Sequence, residues 1–209
     1  MAFEIETFKG NGLVYGGVRP SLFDITVTPP PALAAIFSGA NIQKLQFTCR
    51  ASALPAGRVG TVEVPYFGRK VKFAGDRTFD DWTITIMNDE DFLVRSMFET
   101  WSNSLNSLET NVRAGVYTTE VDYKAIFTIN QYSKTGGSPG GTGGGPATAL
   151  TATPIRSYNM VGAYPGPISD ITVDWDQQNQ IETFTCGISY DYWLPVIEGG
   201  LAVSYVDAT

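Results

Sequence analysis

The chain has 209 residues, of which 43% are hydrophobic and 12% aromatic, enough to bury a sizeable core within one domain. Its formal net charge of −7 argues against wrapping nucleic acid, which usually needs a basic face, and suits solubility or repulsion of nucleic acid. Because the sequence contains no histidine, it excludes Ser-His-Asp and Cys-His nucleophile systems and every histidine-based metal site.

The N-terminal quarter predicts an arm, a strand and a second strand separated by a loop. Residues 1–19 are glycine-rich and are expected to form the arm. In the first strand, Phe23, Ile25 and Val27 alternate onto one face. The proline-rich stretch after Thr28 is expected to be a loop with one helical turn. Residues 44–50 alternate again and predict the second strand.

The next segment predicts a hairpin followed by a strand with one buried face. Residues 61–75 are expected to form two short strands joined near Phe67 and Gly68. Beyond them a β-branched strand alternates threonine with larger apolar side chains. Its apolar residues are Trp82, Ile84 and Ile86.

One amphipathic helix is predicted after this strand. Asn88 is placed to cap it, and the acidic residues 89–91 fill a first turn, where the helix dipole favours negative charge. An apolar stripe at helical spacing is expected to pack against a sheet. The stripe consists of Val94, Met97, Phe98, Trp101 and Leu105.

The second half of the chain completes the β pattern. Residues 117–132 predict one or two strands, and residues 134–149 are glycine-rich, which is typical of a flexible linker or an inserted loop. A domain boundary there is the alternative. The inserted loop is favoured because the remaining 60 residues look like part of the same domain. Residues 194–209 are expected to form a C-terminal arm.

A long hairpin is predicted within this second half, with one strand at residues 171–175 and the other at 183–192. Its inward-facing residues are expected to be Ile171, Val173, Trp175, Phe184, Cys186, Ile188, Tyr190 and Tyr192. The sum is a single, mainly β domain over residues 1–209. We expect an antiparallel β barrel or sandwich with one flanking α-helix.

The two cysteines and the N-terminus bear on the compartment. Cys49 and Cys186 lie in apolar runs and are expected to be buried free thiols, with a single bridge between them as the alternative. A reducing compartment is the default. The first residues lack a basic region followed by an apolar run, so no signal peptide is expected. No window is apolar for long enough to predict a membrane span.

Carboxylates cluster before the strand at Trp82. Asp76, Asp80 and Asp81, near Arg77, could form an acid/base pair, but no second catalytic group accompanies them. They are therefore expected to be turn residues and salt-bridge partners that fix the start of the strand. We predict no catalytic, cofactor-binding or metal-binding residues and no enzymatic activity.

Two other patterns look chemical but lack essential parts. Asp174 and Asp176 resemble two ligands of a calcium loop, yet the required glycine and terminal glutamate are missing. The glycine-rich stretch lacks the Gly-Lys-Ser/Thr ending of a phosphate cradle. Neither is expected to bind an ion or a nucleotide.

The predicted hairpin mixes basic and aromatic residues. Such a mixture can bind single-stranded nucleic acid, but in a tight hairpin of an acidic chain a protein–protein contact is the better interpretation. The predicted interface residues are Tyr66, Phe67, Arg69 and Lys70.

Five segments carry a family likeness. They are RPSLFDITV (19–27), ASALPAG (51–57), VPYFGRKVKFAGDRTFDDWTITIMNDED (64–91), FETW (98–101) and ITVDWDQQNQIETFTCGISYDYW (171–193). With them the chain resembles the tail tube proteins of contractile-tailed, myovirus-type bacteriophages. The motif residues expected to have structural roles are Asp76, Arg77, Asp80, Asp81, Trp82, Asp174 and Trp175.

This resemblance implies a fold shared with the tubes of type VI secretion and a place in the virion tail. It implies hexameric rings stacked into a hollow tube, with transiting double-stranded DNA and a tape-measure protein inside and a contractile sheath outside. Baseplate and tail terminator proteins are the implied partners at the tube ends. The alternatives are a baseplate protein that initiates the tube, the tube of a phage-like injection system, or a carbohydrate-binding β-sandwich.

Overall fold

The computed structural model describes residues 5, 8–12, 17–133, 154–176 and 178–196. The predicted glycine-rich loop at 134–149 lies outside the described residues, as do most of the N-terminal arm and the C-terminal arm beyond residue 196. The chain divides into two compact units. One comprises Met1–Asp24, Ile129–Ser157 and Pro195–Thr209, and the other Ile25–Thr128 and Tyr158–Leu194.

Within the described ranges the chain forms nine strands and three α-helices. The strands are β1 (Phe23–Thr28), β2 (Cys49–Ser52), β3 (Arg58–Tyr66), β4 (Arg69–Thr78), β5 (Trp82–Met87), β6 (Ala125–Tyr132), β7 (Pro154–Ile168), β8 (Thr183–Ser189) and β9 (Tyr192–Val196). The helices are α1 (Gly39–Thr48), α2 (Leu93–Leu105) and α3 (Glu120–Tyr123). A π-helical turn occupies Phe8–Gly12, and a 3₁₀ turn occupies Pro31–Leu33 in the proline-rich loop.

Seven strands form one sheet in the order β1-β6-β7-β8-β5-β2, with β9 also paired to β7. The strands β3 and β4 form a separate two-stranded sheet. The mainly antiparallel β architecture is thereby confirmed. Because the order is open at β1 and at β2, it fits the predicted sandwich rather than the closed barrel.

In the larger unit, one face of the sheet strands and one face of α2 supply the core. Alternate residues of each strand point to the same side, and they bury Ile25 and Val27 of β1, as predicted. The stripe of α2 is buried at Val94, Met97, Phe98 and Trp101, and Leu105 is half-buried. The inward residues of β5, β6 and β8 in this unit complete the core: Trp82, Ile84, Ile86, Ala125, Phe127, Phe184, Cys186 and Ile188.

In the smaller unit, a polar network joins the described strand segments. Asn130 Nδ2 donates to Asp24 Oδ1 at 2.8 Å, and the Tyr132 hydroxyl donates to Asp24 Oδ2 at 2.8 Å. The buried hydroxyl of Ser157 donates to Asn130 Oδ1 at 2.7 Å. Each buried polar group thus has a partner, which removes the cost of burying it.

The strand predicted over residues 44–50 is wrong. This segment lies mostly in α1, whose N-terminus is capped by Ser38 through a bond from the Asn41 amide at 3.4 Å. Leu45 is fully buried but Phe47 is 74% exposed, so the two do not share a strand face. A seven-residue alternation is too short to separate a strand period from a helix period.

The predicted helix exists but begins later than expected. Asn88 does not cap α2, because its amide donates to Glu182 O at 2.9 Å and prolongs the strand pairing. Phe92 adopts φ 51°, a left-handed conformation that separates residues 88–91 from the helix. Asp91 Oδ1 accepts the amide of Leu93 at 3.0 Å.

The predicted strand at 171–175 is also wrong. The partner of β8 is instead β7, with Tyr164 opposite Ser189, and the described residues 169–176 and 178–182 contain no strand. Val173 is 81% exposed and Trp175 is 100% exposed, although both were expected to face the core. Their alternation is real, but no neighbouring strand pairs with it, because the long β7 occupies that edge of β8.

The remaining predictions are partly confirmed. The strand within 117–132 is β6, but the residues before it form the short α3 rather than another strand. Cys49 and Cys186 are free thiols, Cys186 buried and Cys49 half-buried. Burial raises the pKa of each thiol to about 12, so both remain protonated and poorly reactive at neutral pH.

Candidate interaction surfaces

The β3–β4 hairpin carries the predicted interface residues. Its strands pair antiparallel from Arg58 opposite Thr78 to Tyr66 opposite Arg69. The two-residue loop is formed by Phe67 at φ 44° and Gly68 at φ 79°. Two positive φ angles define the type I′ turn, whose twist matches that of the strands. Phenylalanine is unusual in this conformation, and its side chain is 91% exposed at the tip.

One side of the hairpin is apolar and open to solvent. The register places Val62 opposite Phe73 and Val64 opposite Val71, and alternation puts these residues on the side of Tyr66. We call this set the apolar face. Its members and exposures are Val62 52%, Val64 44%, Tyr66 64%, Val71 42% and Phe73 57%. A contiguous exposed apolar surface of this kind marks an interaction site.

The other side of the hairpin is charged. Glu63 pairs with Lys70 at 2.8 Å and with Lys72 at 3.8 Å. Over its whole length the hairpin has five basic residues against two carboxylates. The basic residues are Arg58, Arg69, Lys70, Lys72 and Arg77, and the carboxylates are Glu63 and Asp76.

The motif residues next to the hairpin anchor its base. The buried indole of Trp82 donates to Ala53 O at 2.6 Å, and Asp81 Oδ1 accepts the Ser189 hydroxyl at 2.8 Å. Asp80 lies 4.0 Å from Arg58 Nη2. These contacts link the foot of the hairpin to β8 and to the loop before β3. Asp80 and Asp81 thus lie between β4 and β5, whereas Asp76, which was expected in a turn, lies within β4.

Aromatic side chains surround the same base. The rings of Phe79 and Tyr190 lie 6.0 Å apart, and the Trp193 indole donates to Ala56 O at 3.1 Å. Burial, together with the charges of Asp80 and Asp81, raises the pKa of Tyr190 above its usual value. Tyr190 therefore stays neutral and packs as an aromatic side chain.

A twist is built into the hairpin near its base. The register shifts between Val59 and Thr61, where Gly60 faces two residues of β4. A Cβ on Gly75 would lie 3.2 Å from the carbonyl carbon of Gly60, so a larger residue would force the two backbones slightly apart at this bulge.

A second exposed surface lies in residues 169–176 and 178–182, which we call the acidic loop. It contains four exposed carboxylates and no lysine or arginine. The carboxylates belong to Asp170, Asp174, Asp176 and Glu182. Asp174 Oδ1 accepts the Asp176 amide at 3.1 Å and so shapes the turn that presents Trp175.

The acidic loop also carries apolar anchors around a groove. Val173, Trp175 and Ile181 are 81%, 100% and 69% exposed. A groove of about 450 Å³ is lined by residues 170–175 and 180–183. The alternation of the sequence predicted that Trp175 lies in the core. The polar residues at 174 and 176–180 could have indicated that it is exposed.

Residues 88–92 border the acidic loop and are fixed by one lysine. A second groove, of about 460 Å³, is lined by residues 88–90 and Phe92 together with residues 180–182. Lys44 Nζ donates to Asp89 at 2.5 Å and also to Asp91. Hydrogen bonds from Lys44 hold the pKa of both carboxyls below the usual range.

The hairpin and the acidic loop are connected to opposite ends of the strand pair β5–β8. In the antiparallel pair β5–β8, Trp82 lies opposite Ile188 and Met87 lies opposite Thr183. The hairpin joins β5 at Trp82, whereas the acidic loop joins β8 at Thr183. Five residue steps at about 3.4 Å place these ends roughly 17 Å apart.

Within the part of the chain that the structure describes, no three His, Cys, Asp or Glu side chains are grouped to hold a metal ion. None of the described helices has the length and apolar character needed to cross a bilayer.

Comparison with known proteins gives a consistent result. The profile of a family described as phage tail tube protein matches residues 18–195. The chain is 32% identical to tail tube protein gp19 of Enterobacteria phage T4 over 175 residues, which is 84% of this chain and 90% of that protein. It is 24% identical to the tail tube protein of Serratia phage KSP90 over 187 residues, 89% of this chain and 93% of that protein.

Solved structures show the same fold at low sequence identity. A chain of the six-fold symmetrised anti-feeding prophage baseplate aligns with a TM-score of 0.54 at 9% identity, covering 86% of this chain and 95% of that one. A chain of the PVC sheath–tube complex of an extracellular contractile injection system, in the extended state, aligns at 0.50 and 12% identity. That alignment covers 93% of this chain and 99% of that one.

Proposed function

Because the chain belongs to the phage tail tube protein family and is thus a component of the virion tail, we propose that it is the repeating subunit of the inner tube of a contractile tail. In this proposal six copies close into a ring, and rings stack around a hollow lumen that conducts the genome. The whole of residues 1–209 acts as one tube domain, with arms at 1–19 and 194–209 and an inserted loop at 134–149.

The observation that carries the proposal is the exposed apolar face of a hairpin that projects from β5. The predicted interface residues Tyr66, Phe67, Arg69 and Lys70 all lie at its tip and are exposed. A monomer gains nothing from keeping such a surface in water, so the surface is explained by burial between subunits. We assign it to the contact between successive rings.

Ring closure needs a different contact. The open order of the main sheet ends at β1 and β2, and exposed strand edges bind other strands unless they are covered. Head-to-tail contacts can continue the sheet of one subunit into that of its neighbour. Such contacts form a closed ring when the rotations between successive subunits add up to a full turn. Obligate interfaces of this kind typically bury more than about 2,000 Å².

The charge fits a passive conduit. Each chain carries −7, so a lumen that shares this sign repels DNA phosphates. Since screening limits the effect to about 8 Å at physiological salt, the charge prevents adhesion rather than driving transport. We propose that DNA and a tape-measure protein occupy the lumen without sequence-specific binding and that the protein has no enzymatic activity. A sheath protein outside and baseplate and terminator proteins at the ends are the proposed partners.

Negative-stain electron microscopy of the purified protein, with sedimentation over a concentration series, tests this proposal. Long hollow tubes of uniform width are expected. Single rings or short stacks that never lengthen would instead indicate the baseplate protein that initiates the tube, an alternative suggested by the likeness to a baseplate chain. A monomer at every concentration would refute assembly as the function. The carbohydrate-binding alternative predicts only such a monomer.

A further inference from the structure

We propose that the apolar face and tip of the hairpin dock onto the acidic loop of a second copy of this chain, in the adjacent ring. This inference rests on the proposed function and adds to it the receiving surface, the acidic loop (residues 169–176 and 178–182) with the neighbouring residues 88–92. The single-residue anchors are Trp175 on the loop and Phe67 on the hairpin.

The positions of the hairpin and the acidic loop on the subunit support docking to a second copy of the chain. The two surfaces are connected to opposite ends of the β5–β8 pair, at Trp82 and at Thr183. A subunit with complementary surfaces at opposite ends makes a head-to-tail contact that leaves one surface of each kind free, so the contact repeats along an axis. This geometry selects another copy in the direction of stacking as the occupant.

The reach of the hairpin is sufficient for such a contact. The nine residues of β3 extend about 30 Å at 3.4 Å per residue, whereas the ends of the β5–β8 pair are roughly 17 Å apart. Both faces of the hairpin are exposed, so it does not lie against its own subunit. It is long enough to leave one ring and contact the next.

The hairpin and the acidic loop also carry opposite charges. The hairpin has an excess of basic residues, with Arg69 and Lys70 at the tip, and the acidic loop has four carboxylates without a basic residue of its own. Arg95 lies beside the loop, where its guanidinium donates to Ser169 O at 3.2 Å and pairs with Glu99 at 2.7 Å rather than with a carboxylate of the loop. The loop therefore keeps its net negative charge. Opposite potentials orient two surfaces and discourage pairing of like with like.

Exposed apolar side chains on both the hairpin and the acidic loop provide groups that can be buried when the two surfaces dock. Large exposed side chains, above all tryptophan and tyrosine, supply most of the binding free energy in protein interfaces when they become buried. The fully exposed Trp175 and the 91% exposed Phe67 have this character, and the groove of about 450 Å³ beside Trp175 offers room for a side chain. Each surface thus has an apolar centre with charges of the opposite sign to its partner.

The first experiment measures the critical concentration for tube formation by sedimentation, for wild type, Trp175→Ser and the control Leu108→Ser. Leu108 is 92% exposed but lies in neither surface. We expect Trp175→Ser to raise the critical concentration at least about ten-fold with an unchanged thermal unfolding midpoint, and Leu108→Ser to behave as wild type. Tubes from Trp175→Ser at the wild-type concentration would overturn the docking and leave the proposed function intact.

The second experiment detects the contact directly. Lys70→Cys and Asp176→Cys chains are mixed, assembled and treated with a short bis-maleimide. The native cysteines are poorly reactive, as their burial shows. Cross-linked dimers are expected in tubes of the mixture and not when Leu108→Cys replaces Asp176→Cys. Tubes without the cross-link would overturn the inference, whereas a wild-type protein that never polymerises would overturn both this inference and the function beneath it.

Discussion

Replacing Phe67 by aspartate should impair tube assembly without changing the stability of the monomer. Phe67 is 91% exposed, so its side chain contributes almost no burial within its own chain. Its φ of 44° is better tolerated by aspartate than by a bulky aromatic residue. We therefore expect Phe67→Asp to keep the free energy of unfolding of the monomer within about 0.5 kcal/mol of wild type.

The effect on assembly is much larger. Burying a phenylalanine side chain is worth about 1.5–3 kcal/mol, and nearly all of that burial is available at the hairpin tip. Loss of this contact corresponds to a roughly 10- to 150-fold increase in the dissociation constant of each inter-ring contact. Six equivalent contacts per ring would act together, so we expect Phe67→Asp to leave rings or monomers where wild type forms long tubes.

The assay combines chemical denaturation of dilute protein with negative-stain microscopy of concentrated protein. Phe67→Leu is the control, because it retains an apolar side chain in the same backbone conformation, and it is expected to form tubes. Tubes of normal length from Phe67→Asp would refute the assignment of the hairpin tip to the ring–ring contact. Loss of folding in Phe67→Asp would refute the argument that the tip is independent of the core.

Three further predictions concern the fold. Trp101→Ala should lower the free energy of unfolding by about 3–5 kcal/mol, measured with urea, because Trp101 is fully buried. Gly162→Ala should also destabilise, because Gly162 has φ 72° and an added Cβ would lie 2.0 Å from Asp191 Oδ2. Thermal unfolding at low pH should show a contribution from Lys44, since its hydrogen bonds lower the pKa of Asp89 below the usual 3.8. That contribution is present above pH 3.8 and is lost as the pH falls through the lowered value.

Each of these predictions has its own control. Trp101→Phe should cost less than Trp101→Ala, because phenylalanine keeps the stacking with Phe127 and loses mainly the hydrogen bond that the indole Nε1 donates to Tyr123 O at 3.1 Å. In an Asp191→Ala background, which already lacks the Lys124–Asp191 ion pair, Gly162→Ala should cost only about 1 kcal/mol from the backbone, because the carboxylate that clashes with the added Cβ is absent. A Lys44→Met protein should converge with wild type in strong acid, and a constant difference down to pH 2 would contradict the role given to the ion pairs.

Much of the fold could be predicted because it depends on local periodicity. The alternation in β1, β5 and β8 identified their buried sides, and the stripe of α2 was correct from Val94 to Trp101. The hairpin turn at Phe67 and Gly68 was also predicted correctly. The motif around residues 64–91 pointed to the family that the profile match then showed.

Errors arose where a strand depends on a distant partner. Residues 171–175 alternate like a strand, but β8 pairs with β7, a fifteen-residue strand that contains two glycines and three prolines and was not predicted. Residues 44–50 alternate as well, yet they lie mostly in a helix. In that helix Leu45 faces the core and Phe47 faces solvent.

The amino-acid order alone established which side chains share a face, where the chain turns and to which family it belongs, because spacing and motif are local properties. The tertiary structure decided which faces are covered. Trp82 and Trp175 both follow an aspartate in apparently similar strands, yet one is 3% exposed and the other fully exposed. The difference arises because burial depends on which distant segment pairs and packs against a face, and that competition between long-range partners is not encoded in any short window of sequence.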